Sequence, residues 1–194
     1  MKPSSPPSRR TLPRRPGAER GFSLIELLIT IAIAAIIGGL AAPSFKKMMD
    51  ANRIQTGASA LQGDMMFART EAVKRGLPVS ICPSTDQATC TTTNSWANGW
   101  IVFNDVNGSG TIDSNSDNVL RVRQKLPGGS TVVASPAPTQ NAIIFNREGF
   151  TTNLGTSQVA FTFHTSDNYA NATRCVLVTF GGSLSTVSKG STCS

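Results

Sequence analysis

The sequence predicts an α+β protein: a long N-terminal transmembrane α-helix whose C-terminal half packs against an antiparallel β-sheet domain. Three observations predict it. From Phe22 to Ala42, 21 residues contain one ionisable side chain, Glu26, and an apolar helix of about that length spans a bilayer core of ~30 Å. Beyond Pro43, the apolar residues Phe45, Met48, Met49, Ile54, Ala58, Leu61, Met65, Ala68 and Ala72 recur mostly at gaps of three or four, which gives one apolar helical face. After Gly76, short β-prone runs alternate with Gly, Ser, Asn and Thr clusters, a strand-and-turn pattern.

Residues 1–21 form a leader rather than part of the fold. They contain Pro3, Pro6, Pro7, Pro13 and Pro16 among serines and arginines, a composition that cannot bury a core. Five of the chain's seven net positive charges lie there, six basic side chains standing against Glu19. Basic residues ahead of an apolar span hold that end in the cytoplasm and send the rest outward. The high isoelectric point is therefore a leader property, and nucleic-acid binding does not follow from net charge.

Residues 22–75 read as one helix, membrane-spanning over 22–42 and amphipathic beyond. Gly38, Gly39 and Pro43 weaken its middle, since proline removes a backbone hydrogen bond and glycine costs about 1 kcal/mol. The helix is expected to end near Gly76, with Pro78 beyond as a stop signal. Glu26 is costly inside an apolar run, roughly 2.5 kcal/mol at mid-membrane and less near an end. It either snorkels to the interface as part of a plain signal anchor or has a partner.

Residues 76–194 form the exported β-rich domain. Expected strands are Val79–Cys82, Trp100–Asn104, Val119–Lys125, Thr131–Ala134, Ala142–Phe145, Val159–His164 and Cys175–Phe180, with alternation such as Phe161 and Phe163 against Thr162 and His164. The sheet is expected to wrap the exposed half of the helix. Cys82, Cys90, Cys175 and Cys193 all lie beyond the span and suggest two disulfides. Three pairings exist; Cys82–Cys90 with Cys175–Cys193 is favoured because each closes a short polar segment. With no CxxC pair and His164 as the single histidine, a zinc site is not expected.

No catalytic constellation surrounds His164, and no Walker-type loop is present; the chain does not read as an enzyme. Asp105, Asn107 and Ser109 fall at alternating ligand positions of a calcium loop with Gly110 at its turn, but Ser116 occupies the place of the bidentate glutamate. A plain interstrand turn explains the same residues, so calcium stays a secondary expectation. Arg121, Arg123 and Lys125 share one face of a strand and could follow a phosphate backbone; a charged solvent face or guarded sheet edge is the preferred reading.

The N-terminal residues resemble the prepilin pattern of the type IV pilin-like family. Arg20-Gly21 precedes Phe22, and Glu26 is the fifth residue counted from Phe22. The resemblance implies cleavage between Gly21 and Phe22 by a prepilin peptidase, methylation of the new Phe22 amine, and a Glu26 carboxylate facing the Phe22 amine of a neighbouring subunit. It also implies flexibility of the helix around Gly38, Gly39 and Pro43. The exported part, with Arg75-Gly76-Leu77-Pro78, Trp96-Ala97-Asn98-Gly99-Trp100 and Phe145-Asn146-Arg147-Glu148-Gly149, looks like the GspH/FimT group, FimU-like members included. That implies a minor subunit at the tip of a type IV pilus that helps start assembly. The chain would be single-pass in the inner membrane with a periplasmic domain, then part of a filament with other minor and major pilins. A minor pseudopilin of a type II secretion system is one alternative. A DNA-binding minor pilin of natural transformation is another, but the stretch comparable to the Gly-Arg-x-Arg segment of such members, Gly181-Gly182-Ser183-Leu184-Ser185, has no arginine.

Overall fold

The computed structural model describes residues 21–189 and Cys193; the rest of the expected leader lies outside them. One helix, α1 (Leu24–Arg75), runs for 52 residues. It continues through Gly38, Gly39 and Pro43. Ser23 caps it, its hydroxyl oxygen accepting from the Glu26 N–H at 3.3 Å, which satisfies one of the orphan donors of the first turn. Gly76 ends it at φ +66°, its N–H reaching the Ala72 carbonyl at 3.0 Å, a left-handed stop that a residue without Cβ adopts at little cost.

Contacts divide the chain between Ala42 and Pro43 into two compact units. In the first, every helical residue is solvent-exposed, and the helix is long and apolar enough to cross a membrane. In the second, burial begins at Asp50 and continues through Ile54, Gly57, Ala58, Leu61, Asp64, Met65, Ala68, Glu71 and Ala72. These residues form one stripe at helical spacing. Phe45, Met48 and Met49, expected on the apolar face, are exposed.

Among the described residues eight strands follow: β1 (Val79–Pro83), β2 (Trp100–Asn104), β3 (Val119–Arg123), β4 (Thr131–Ser135), β5 (Ile143–Phe145), β6 (Gln158–His164), β7 (Arg174–Thr179) and β8 (Leu184–Ser188). They make two antiparallel sheets rather than the single sheet expected, in the orders β3-β2-β1-β5 and β4-β6-β7-β8. The β3 strand ends at Arg123, short of Lys125, and β8 was not expected. Its sequence is Ser- and Thr-rich like a turn, and the ladder to β7, with Leu184 opposite Val178 and Val187 opposite Cys175, makes it a strand.

The helix stripe and one face of each sheet build a single core. Leu61, Met65 and Ala68 of α1 join Val79, Ile81, Trp100 and Val102 from the first sheet and Phe161, Phe163, Val176 and Val178 from the second. The opposite faces carry smaller clusters. Cys82, Ile101, Phe103 and Ala142 cover the back of the first sheet; Cys175, Leu177 and Cys193 cover the back of the second. The disulfides Cys82–Cys90 and Cys175–Cys193 thus belong to the clusters on the sheet faces turned away from α1.

The loops closed are short, with sequence separations of 8 and 18 residues, for which chain-entropy arguments give about 3 kcal/mol each. Replacing Cys175 and Cys193 by alanine should therefore lower the melting temperature by about 6–12 °C. A thermal melt followed by circular dichroism checks this, and reductant, which also opens Cys82–Cys90, should lower the wild type further than the double variant.

Candidate functional site

The expected processing site is open. Phe22 is 81% exposed, and Gly21, Phe22, Ser23 and Glu26 line a shallow recess at the start of α1. Glu26 sits in the first helical turn, where a negative charge interacts favourably with the helix dipole. A new amine created at Phe22 would bring a positive charge to that same positive end. Glu26, the single carboxylate of the apolar run, is then the one side chain there that can compensate it.

The second functional element is the attachment of α1 to the sheets, centred on Asp64. This residue is 1% exposed, and both carboxylate oxygens are fully used. Arg123 binds it through two nitrogens, Nε to Oδ2 at 3.0 Å and Nη2 to Oδ1 at 3.1 Å. Arg121 Nη1 donates to Oδ1 at 2.9 Å, and the Trp100 indole N–H donates to Oδ2 at 2.9 Å. The Arg121 guanidinium also lies 3.8 Å from the centre of the Phe67 ring, a favourable cation–π distance. Burial raises the Asp64 pKa and is the largest single influence. The hydrogen bonds from Arg123, Arg121 and Trp100 together outweigh it and hold the carboxyl below its usual value.

This geometry corrects the expectation that Arg121, Arg123 and Lys125 form one solvent-facing cationic row. Arg121 and Arg123 do share a strand face, but that face turns onto α1, because a buried Asp64 without cations would be strongly unfavourable. Lys125 lies past the strand end. Leu120 is an extra residue at a bulge in the β2–β3 pairing and packs partly against the main core.

Asp105 also has a structural role. It is fully buried; its Oδ2 accepts from the Ser80 hydroxyl at 2.6 Å and the Gly110 N–H at 2.8 Å, and its Oδ1 accepts from the Ser109 N–H at 2.9 Å. Asn107 Oδ1 accepts from the same Ser109 N–H at 3.1 Å. The oxygens of Asp105 and Asn107 thus hold the β2–β3 loop's own backbone, as in the plain-turn reading. Among the described residues no group of three or more His, Cys, Asp or Glu side chains is arranged around a metal position. His164 lies at the end of β6, its Nδ1 3.4 Å from the Thr173 hydroxyl.

Arg69 provides a further attachment, donating from Nε to the Gly149 carbonyl at 2.9 Å and from Nη2 to the Gly181 carbonyl at 3.4 Å. Gly182 adopts φ +71°, and a Cβ there would lie 2.2 Å from the Gly149 carbonyl oxygen. Residues 181–183 are therefore a tight structural turn against the helix, and Leu184 and Ser185 open β8. Gln62 accepts from Thr186 at 2.7 Å and Gln55 from Arg174 at 2.8 Å, tying α1 to the second sheet. Asp64 and Arg69 were absent from the expected sites. The signal for Asp64 was available: it falls three residues after Leu61 and four before Ala68, within the apolar stripe.

Residues 57–182 match the family described as type II transport protein GspH, and residues 17–42 match the prokaryotic N-terminal methylation motif. Over 59 residues the chain is 36% identical to the type II secretion system protein H of Xanthomonas campestris pv. campestris; the match covers 30% of this chain and 35% of that protein, so the chain spans about a third of the length of this curated relative. The type IV minor pilin FimU of Pseudomonas aeruginosa superposes with a TM-score of 0.55 at 19% identity, covering 74% of this chain and 96% of that one. A second crystal form of FimU gives 0.52, covering 72% and 99%. At this identity the likeness is one of fold. With the methylation motif placed on the exposed start of α1 and the family match running from the middle of α1 to Gly182, the chain belongs to the GspH family, the type IV pilin-like minor pilins and pseudopilins.

Proposed function

We propose that the protein is a minor subunit of a type IV pilus, acting at the tip or in priming assembly, cut between Gly21 and Phe22 by a prepilin peptidase and methylated on the Phe22 amine. It is held before assembly in the inner membrane by residues 22–42, with the domain beyond Pro43 in the periplasm. The observation that carries this reading is a wholly exposed apolar helix, opened by Gly-Phe-x-x-x-Glu, on a domain whose core begins only at Ile54. Such a surface requires lipid or other helices around it. In a filament, Glu26 pairs with the Phe22 amine of a neighbouring subunit, because two charges moved out of water are tolerated only together. The arrangement is structural and not catalytic.

A second reading is a minor pseudopilin of a type II secretion system, favoured by the sequence match to secretion protein H. The FimU likeness is one of fold and fits either filament. DNA uptake through Arg121 and Arg123 is disfavoured, since both guanidinium groups are engaged by Asp64.

Intact-mass analysis of protein from envelope and sheared-filament fractions tests the processing. The expected mass starts at Phe22, carries one added methyl group and lacks four hydrogens for the two disulfides. An uncut chain in both fractions would overturn the reading. Presence in sheared pili, against loss of secreted enzymes on deletion with pili intact, separates the pilus from the pseudopilus.

A further inference from the structure

The first turns of α1 beyond the apolar run carry Phe45, Lys46, Lys47, Met48 and Met49, with Phe45 60%, Met48 52% and Met49 39% exposed. None belongs to the core. By chain length alone, Ser44 to Ala51 lie within about 14 Å of the end of the span along a helix, at the depth of lipid headgroups. A second segment of the folded domain comes to this place. The β6–β7 loop puts Tyr169 under Lys47, whose Nζ is 5.4 Å from the ring centre. Ser44, Lys47, Met48, Ala51, Tyr169 and Asn171 line one open recess.

The loop is built to hold that position. The Tyr169 N–H donates to the Thr165 hydroxyl at 2.8 Å, and the Asn171 amide reaches the Tyr169 hydroxyl at 3.3 Å. The charges nearby leave the face positive. Asp50 is engaged by Arg53 at 2.9 Å. Asp167 faces Lys46, and its carboxyl is held below the usual range chiefly by the Thr165 hydrogen bond. Arg53 and Lys125 border an adjoining groove. Among the described residues neither Lys46 nor Lys47 is in an ion pair. Lysines, a half-buried tyrosine, and Phe and Met side chains beside an apolar span are the composition of a membrane interface, where cations meet phosphates and amphipathic rings sit at headgroup depth.

We propose that Lys46, Lys47 and Tyr169 form a docking surface for anionic phospholipid headgroups of the leaflet from which the domain emerges. The β6–β7 loop then rests on the membrane until the subunit leaves it. This rests on the membrane-anchored reading of residues 22–42.

The test uses the full chain in nanodiscs of phosphatidylcholine alone and of phosphatidylcholine with one-third phosphatidylglycerol (roughly a natural anionic content), read by hydrogen–deuterium exchange. Exchange of residues 44–51 and 165–173 should be slower in the anionic discs. Each lysine is expected to contribute about a fivefold factor to the docked population, so the double variant Lys46→Gln, Lys47→Gln should reduce docking about 25-fold and abolish the slowing. Exchange of the β6 and β7 core strands, unchanged in the variant, would show that the fold is intact. Equal exchange in neutral and anionic discs would overturn the docking while leaving the anchor standing; failure of the chain to remain with either disc would overturn the anchor itself.

Discussion

Asp64→Ala is expected to lower the melting temperature by about 4–12 °C. The change strands two guanidinium groups and the buried Trp100 N–H, whose partners are all on one carboxylate. Removing one partner of a buried ion pair typically costs about 3–5 kcal/mol. Here the Arg121 and Arg123 side chains are 41% and 40% exposed and can regain water, so the cost is reduced to about 2–3 kcal/mol. For a domain of this size that gives the stated shift.

The same residue sets a pH dependence. Asp64 has a folded-state pKa below its ordinary value, so its contribution is fully present above the unfolded pKa of about 4 and is lost as pH falls through the folded value. The stability gap between wild type and Asp64→Asn should therefore be widest near neutrality and shrink on acidification below about pH 4. Urea denaturation at both ends of that range measures it. A gap that stays constant with pH would show that packing, rather than charge, makes Asp64 valuable.

Glu26→Ala should leave the protein cut at Phe22 and folded, yet absent from filaments. The folded domain does not depend on residue 26, since the main core contains no residue before Ile54. Assembly is expected to depend on it. Without the carboxylate, the neighbour's amine enters an apolar surrounding unpaired, at a cost of about 3 kcal/mol or more, or about a hundredfold in the assembly equilibrium. Immunoblots of sheared and cell-bound fractions from a strain carrying the variant would read this directly. Incorporation equal to wild type would return Glu26 to the role of a snorkelling residue at the membrane interface.

Much of this architecture was legible in the chain. The apolar run, the Gly-Phe-x-x-x-Glu opening and the amphipathic continuation to Gly76 are local patterns, and α1 follows them within two residues at its start and one at its end. Seven of the strands were visible for the same reason: alternation along a strand is written in neighbouring residues. The strand that was missed, Leu184–Ser188, lacks such a pattern and exists through its pairing with β7. The favoured cysteine pairing also followed from sequence proximity.

The basic run at 121–125 marks the limit. Spacing put Arg121 and Arg123 on one side of a strand, and that is where they are. Which way the side faced depended on Asp64, 57 and 59 residues earlier in the chain. The aspartate's place in the apolar stripe of α1 gave a hint, but a carboxylate in a stripe does not name its partner. Asp105 shows the same limit: its hydrogen bond from Ser80, 25 residues away, is not written in the local spacing. The sequence by itself determined the helix, its exposed apolar half, the processing signal and the positions of most strands, because these depend on periodicities of two to four residues and on one composition boundary. The tertiary structure alone decided the division into two sheets, the direction of the basic face and the meeting of Tyr169 with Lys47 across 122 residues. Those features arise where distant segments must neutralise buried charge or cover a sheet face, and no local pattern records which segment does so.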